Sequence, residues 1–158
     1  MEKIRILRIL NRFNIGGPVF NAIFLTKFIG EEFETLLVGG EHYKGEASAL
    51  PVVHSYGVNP VVLRSVSRRI TPHHDIPAFI KILGIIREFQ PHLIHTHASK
   101  AGFFGRMVKA LKLWNCPVIH TYHGHVFKGY FGKITEKALM RIEKFLSLYT
   151  SQIIVPSS

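Results

Sequence analysis

The chain has 158 residues, 47% of them hydrophobic and 19% charged, with 20 Lys+Arg against 10 Asp+Glu and a formal net charge of +10. That is one domain's worth of chain, able to bury its own core, and the composition excludes a disordered protein. A single cysteine, Cys116, excludes a disulfide framework and suits a reducing cytoplasm. Charges interrupt the apolar residues of Met1–Leu10, and no apolar run is long enough to span a bilayer.

Short apolar runs alternate with longer helical patterns. Arg5–Leu10 reads as a first strand, and Gly16-Gly17-Pro18 leads into a helix reaching Phe28. Pro18 suits its first position and Gly30 its close. Thr35–Val38 is a second strand, followed by a polar, mobile loop over Glu41–Glu46, a short helix over Ser48–Tyr56 and a third strand at Pro60–Leu63. Thr71 caps the next helix, with Pro72 at its start and Asp75 in its first turn. Ile76, Phe79, Ile80, Leu83, Ile86 and Phe89 recur at helical spacing as its buried stripe, and Pro91 stops it. Leu93–Thr96 is a fourth strand, before a helix from about Lys100 to Trp114 and a fifth strand at Pro117–Thr121. A helix from about Lys133 to Tyr149 buries Ile134, Ala138, Ile142, Phe145 and Tyr149, and Ile153–Val155 is a sixth strand.

Strand alternating with helix predicts parallel pairing with right-handed crossovers, hence a Rossmann-like doubly wound α/β sheet in three layers, a single domain over residues 1–158. The chain stops just after a strand, where a second domain is expected to begin.

Ligands of open α/β sheets bind beyond the carboxyl ends of the strands, and three polar clusters fall there. The first is Asn11–Pro18, where Gly16 and Gly17 allow a backbone to approach a ligand closely and the following helix N-terminus favours phosphate. It lacks the G-x-G-x-x-G spacing, and a tight turn explains it equally well. The second is His95–Gly102, with Ser99 able to cap a helix and Lys100 and Arg106 adding positive charge. Within it, His95 reads as a core histidine serving neighbouring backbone groups. The third, His120–Lys128, puts three histidines at one strand end, with the donor–acceptor pair suited to sugar hydroxyls or proton transfer. Tyr122 and Phe127 there could stack on a sugar ring or simply pack.

Metal binding fits the composition poorly. Histidines are many, but Asp75 is the only aspartate and no H-E-x-x-H occurs. Cys116 reads as inert. The cationic excess asks for an anionic partner. Lys133, Lys137, Arg141 and Lys144 form a basic stripe on the last helix, and Arg106, Lys109 and Lys112 one on the helix before. Either is an ordinary solvated face or a contact for anionic lipid headgroups. No nucleic-acid motif is present.

R-I-L-R-I-L-N-R-F-N-I-G-G-P, H-T-H-A-S-K-A-G-F-F-G-R and H-T-Y-H-G-H-V-F-K-G-Y-F, in that order, resemble the N-terminal domain of family-4 GT-B glycosyltransferases. The resemblance covers nearly the whole chain. It implies a retaining enzyme of cell-surface polysaccharide or glycolipid synthesis, built from two Rossmann-like domains facing a cleft, with acceptor bound mainly by the N-terminal one. By position, Gly16 and Gly17 resemble the loop reaching the donor diphosphate, and His123 the histidine contacting the donor sugar. Asn14, His97, Ser99 and Lys100 would line the cleft, and His125 matches the second histidine of an H-G-H subgroup. No metal or other cofactor is implied, the nucleotide-sugar, a UDP-sugar by preference, serving as co-substrate. The paired glutamates and phosphate-binding cations of that family belong to a C-terminal donor domain outside this chain.

The leading expectation is therefore the acceptor half of a sugar transferase, inactive alone and cytoplasmic or peripheral at the inner face of the membrane. Its partners would be a nucleotide-sugar, a glycan or lipid-linked acceptor, the missing half and an anionic membrane. The alternatives are a nucleotide-sugar epimerase of the same architecture, or a non-catalytic subunit that binds a membrane or a partner chain.

Overall fold

The computed structural model describes residues 2–64, 72–124 and 133–155. Thr71, Phe127, Lys128 and His125 lie outside them.

The order is β1 (Ile4–Arg12), α1 (Gly17–Lys27), β2 (Phe33–Gly40), α2 (Leu50–Ser55), β3 (Val61–Leu63), α3 (Pro72–Phe89), β4 (Leu93–His97), α4 (Ser99–Ala110), β5 (Val118–Thr121), α5 (Lys133–Ser147) and β6 (Gln152–Ile154). The strands form one six-stranded parallel sheet in the order β3-β2-β1-β4-β5-β6. Because side chains alternate along a strand, β1 feeds two cores. Leu7 and Ile9 pack with Ala78, Ile82 and Ile86 of α3 and with Phe104 and Val108 of α4. Leu10, with Phe13 and Leu37, packs against Val19, Ala22 and Ile23 of α1 and Val53 of α2. These are the three layers of a doubly wound fold, with the strand order reversing between β1 and β4.

Two helices are rotated from their expected faces, α3 only in part. On α3 the seam runs through Ala78, Ile82 and Ile86 with Phe79, Leu83 and Phe89 packed beside it, so four of the six expected residues meet the core while Ile76 and Ile80 are exposed. On α5, Leu146 is buried with Leu139 and Glu143 beside it, whereas Ala138, Ile142 and Phe145 face out. Both stripes of α5 have helical spacing, so periodicity alone does not choose between them; the docking partner does. For α5 that partner is α4, through Arg106 and Glu143.

Three local expectations change. Helix α4 ends at Ala110, short of Trp114, because Lys112 turns left-handed (φ 54°). Leu113 N–H donates to Val108 O at 2.9 Å and Lys112 N–H to Lys109 O at 3.0 Å, a Schellman close. Pro18 is the second residue of α1, with Gly16 as its cap. The Glu41–Glu46 segment is tied down. Arg12 donates from Nε (2.8 Å) and from its NH2 nitrogen (2.7 Å) to the Glu46 carboxylate, and its guanidinium lies 4.8 Å from the Tyr43 ring centroid.

Candidate functional site at the carboxyl ends of β1, β4 and β5

Register brings the three clusters together. Leu10 pairs with His97 across β1 and β4, and His97 with Thr121 across β4 and β5. The residues that follow these strands therefore leave the sheet at one level, at the switch point of the strand order.

In the first cluster, Gly16 accepts at its carbonyl from Val19 N–H (3.1 Å) and Phe20 N–H (3.3 Å) and so begins α1. A Cβ at Gly16 would meet only Pro18 Cδ at 3.8 Å and Asn14 Nδ2 at 3.9 Å, and one at Gly17 would meet nothing within 4 Å. Packing thus asks for neither glycine, and they leave the helix N-terminus open. Its first turn has no acidic residue and no side-chain cap; Pro18 has no N–H and the Val19 and Phe20 N–H groups go to Gly16 O, so the Gly17 N–H and the positive end of the dipole remain for an anion. Asn14 bridges to Ser48 in antiparallel fashion.

In the second cluster, Ala98 makes the bend from β4 into α4 with φ 66° and ψ 168°, a region costly for any residue with a Cβ. Ser99 is the first helical residue, and the cap position is Ala98, whose side chain cannot cap. The capping acceptor is Asn11 Oδ1, which takes Ala101 N–H at 2.7 Å from across the sheet. Lys100 is ion-paired with Asp75 at 2.6 Å and ties α4 to α3. His97 is fully buried, so it sits beneath the site and does not line it.

The histidines separate by strand alternation. On the α1 side, the Arg8 guanidinium donates to His95 Nδ1 at 2.6 Å. Since Arg only donates, His95 carries its proton on Nε2 and donates it to Thr121 Oγ1 at 2.9 Å. His97 lies against His95, ring centroids 4.2 Å apart, and its Nδ1 is 2.9 Å from Nε2 of His123. On the opposite side, His120 Nδ1 meets Thr96 Oγ1 at 2.8 Å. Burial pushes the pKa values of His95, His97 and His120 down to about 3, 2 and 3, with neighbouring positive charge adding to the effect. Burial also lowers that of half-buried His123. At neutral pH the imidazoles on both sides are uncharged, and those of His95 and His97 lie beside the Arg8 guanidinium, whose pKa burial lowers only to about 10. Among the described residues, no three His, Cys, Asp or Glu side chains gather as a metal site.

Arg106 is not part of a solvated stripe. It is fully buried, donates from its NH2 nitrogen to Glu143 of α5 at 3.0 Å and brings its other terminal nitrogen to 2.7 Å from the same carboxylate as an ion pair, while Tyr122 O–H donates to that carboxylate at 2.6 Å. This lock joins α4 and α5 to the residue preceding His123. Lys137, Arg141 and Lys144 are exposed as expected, and the Lys133 side chain lies outside the described part. Sequence reasoning did not single out Arg8, Asn11, Thr121 or Glu143, although Asn11 and Thr121 fall inside its first and third clusters and Arg8 is a charge among the apolar residues of its first strand.

A family model described as Glycosyltransferase Family 4 matches residues 33–158. A UDP-Gal:alpha-D-GlcNAc-diphosphoundecaprenol alpha-1,3-galactosyltransferase of Escherichia coli is 28% identical over 90 residues, which are 57% of this chain and 23% of that protein. Among solved structures, UDP-GlcNAc 2-epimerase from Neisseria meningitidis superposes with a TM-score of 0.64 at 12% identity, over 97% of this chain and 40% of that one. Acinetobacter baumannii MurG gives 0.62 at 11% identity, over 98% and 43%. The chain thus spans less than half the length of these relatives, and the two structural likenesses speak for the fold alone.

Proposed function

The chain belongs to Glycosyltransferase Family 4, and on that premise we propose that it forms the acceptor-side half of a retaining sugar transferase. The donor is a nucleotide-sugar, preferably a UDP-sugar, and the acceptor a glycan or lipid-linked glycan of cell-surface polysaccharide synthesis. The related galactosyltransferase, named for UDP-Gal and a diphosphoundecaprenol acceptor, supports this choice of class. The observation that carries the reading is the open N-terminus of α1 behind Gly16 and Gly17, level with His123 at the switch point.

In this reading the Gly17 N–H and the positive end of the α1 dipole stabilise the charge that builds on the departing diphosphate. Neutral His123 orients the donor sugar by a hydrogen bond, and Asn14 and Ser99 serve the acceptor. Catalysis is positioning plus electrostatics, divided with a second, donor-binding half, so the chain alone turns over negligibly. No metal enters the proposal: the strand ends carry imidazoles, amides and glycines, and the one aspartate is paired with Lys100. The same pairing weakens an epimerase reading. That chemistry needs acid–base carboxylates, and Asp75 and Glu143 are engaged by Lys100 and Arg106.

Gly16→Ala tests the phosphate site. Its backbone is extended and its surroundings open, so stability should stay within about 0.5 kcal/mol while KM for the nucleotide-sugar in the full-length enzyme rises about tenfold. Unchanged KM would remove the diphosphate from α1.

The proposal extends to the inner membrane face. No described helix is long and apolar enough to cross a membrane. On α5, however, exposed Lys137, Arg141 and Lys144 run beside exposed Met140, Ile142 and Phe145, with exposed Leu148 just past the helix end. Cations and apolar side chains on one solvent face suit a helix lying in an anionic interface. Reversing the three charges should weaken binding to phosphatidylglycerol vesicles by at least about a hundredfold; equal binding by the variant would end this part.

A further inference from the structure

We infer that His97 is a positioning residue for His123: its Nδ1–H donates to His123 Nε2, holds His123 as the Nδ1–H tautomer and so turns an N–H donor, not a lone pair, toward the ligand. The inference deepens the reading above and rests on it for the ligand, but not for the tautomer.

His97 has no exposed surface and so has no direct access to substrate. Its link outward is the 2.9 Å contact between its Nδ1 and His123 Nε2. The ring planes differ by only 23° and the centroids lie 5.2 Å apart. Nitrogens so much closer than the centroids must sit on facing edges, as a ring-to-ring hydrogen bond requires. Both rings are neutral at neutral pH, because burial depresses both pKa values. Two neutral imidazoles share one proton across such a contact, so one ring donates and the other accepts.

The other edge of His97 decides which. Its Nε2 is buried with no hydrogen-bond partner. If His123 were the donor, His97 would carry its proton on Nε2 and bury an N–H with no acceptor, the rarer kind of orphan in folded proteins. With the proton on Nδ1, only a lone pair goes unused. The layer beneath resists rearrangement. His95, against whose ring His97 lies, has its own tautomer dictated by Arg8 and spent on Thr121. With Nε2 of His123 occupied, Nδ1–H is the edge that remains for a ligand. It selects an oxygen that accepts, such as a sugar hydroxyl or ring oxygen, and a donor sugar lacking an oxygen there forfeits the bond.

The test is a long-range proton–nitrogen spectrum of the chain with 15N-labelled histidine at neutral pH. The expected result is protonated Nδ1 and bare Nε2 in both His97 and His123; a His123 protonated on Nε2 overturns the inference. His97→Asn keeps an N–H donor near the place of Nδ1, and His97→Leu removes it. In the full-length enzyme, His97→Leu should release His123 to the Nε2–H form and lower kcat/KM roughly tenfold, with His97→Asn holding within about threefold of the parent. Unaltered His123 tautomer and turnover in His97→Leu would also overturn it. Failure of the sugar-contact reading looks different: His123→Ala would leave donor KM and kcat unchanged while the wild-type tautomers stay as described, which upholds the pair and discards its ligand. The wild-type spectrum decides even if His97→Leu does not fold.

Discussion

Ala98 and Gly102 show how closely single residues serve this site. Ala98 holds a backbone conformation that suits glycine, so Ala98→Gly should stabilise the fold by about 1 kcal/mol or more in urea denaturation. Gly102 is the reverse case. A Cβ there would run into the His120 ring, 2.7 Å from Nδ1, so Gly102→Ala should cost about 1–3 kcal/mol by overpacking. Gly84, mid-helix with nothing within 4 Å of its would-be Cβ, is the control: Gly84→Ala should gain about 0.5–1 kcal/mol. Equal effects at Gly102 and Gly84 would mean that His120 is not held under α4. At this scale the sequence was legible in residue type only. The histidines, glycines and Asn14 stood out because their chemistry is unusual at strand ends. Their partners did not, since Arg8 and His95, or Asn11 and Ala101, are neighbours only across the sheet.

Among the elements, the join between α4 and α5 is the one with the most at stake. Arg106 is wholly buried, and Glu143 supplies its compensating charge. Glu143→Ala leaves that guanidinium unpaired, at an expected loss of about 3–5 kcal/mol. The double change Arg106→Met with Glu143→Leu should recover most of it, because an apolar pair needs no charge balance. Chemical denaturation of the three variants checks this, and a double variant no better than Glu143→Ala would show that the pair does more than neutralise itself. The same join explains why α5 was legible as a helix but not in its facing. Its sequence offers an apolar stripe through Ile142 and Phe145 and another seam through Leu139, Glu143 and Leu146. The second docks because its glutamate meets Arg106. A charged residue in the buried seam defeats a reading based on hydrophobic spacing.

For the whole molecule, the buried histidines set the response to acid. The folded pKa values of His95, His97 and His120, about 3, 2 and 3, lie below the value of roughly 6.5 for an unfolded imidazole. As pH falls, the unfolded chain therefore takes up protons that the folded one refuses. Stability is full above about pH 6.5 and is lost progressively toward pH 3, with each histidine subtracting about 2 kcal/mol at pH 5. Three together reach the order of a domain's whole stability, so circular dichroism should record unfolding between about pH 6 and pH 4. A fold intact at pH 3.5 would contradict the neutral histidine layer.

The order of elements, the parallel sheet, its doubly wound class and the grouping of polar clusters at strand ends followed from the amino-acid sequence alone. Each rests on local periodicity and on chain order, and a right-handed crossover leaves few ways to arrange six alternating strands. Only the tertiary structure decided which stripe of α5 is buried, that Lys100 and Arg106 answer to Asp75 and Glu143, and that His97 lies under His123. Those outcomes depend on register, Leu10 against His97 and His97 against Thr121, which joins residues far apart in the chain and leaves no periodic mark within any one segment.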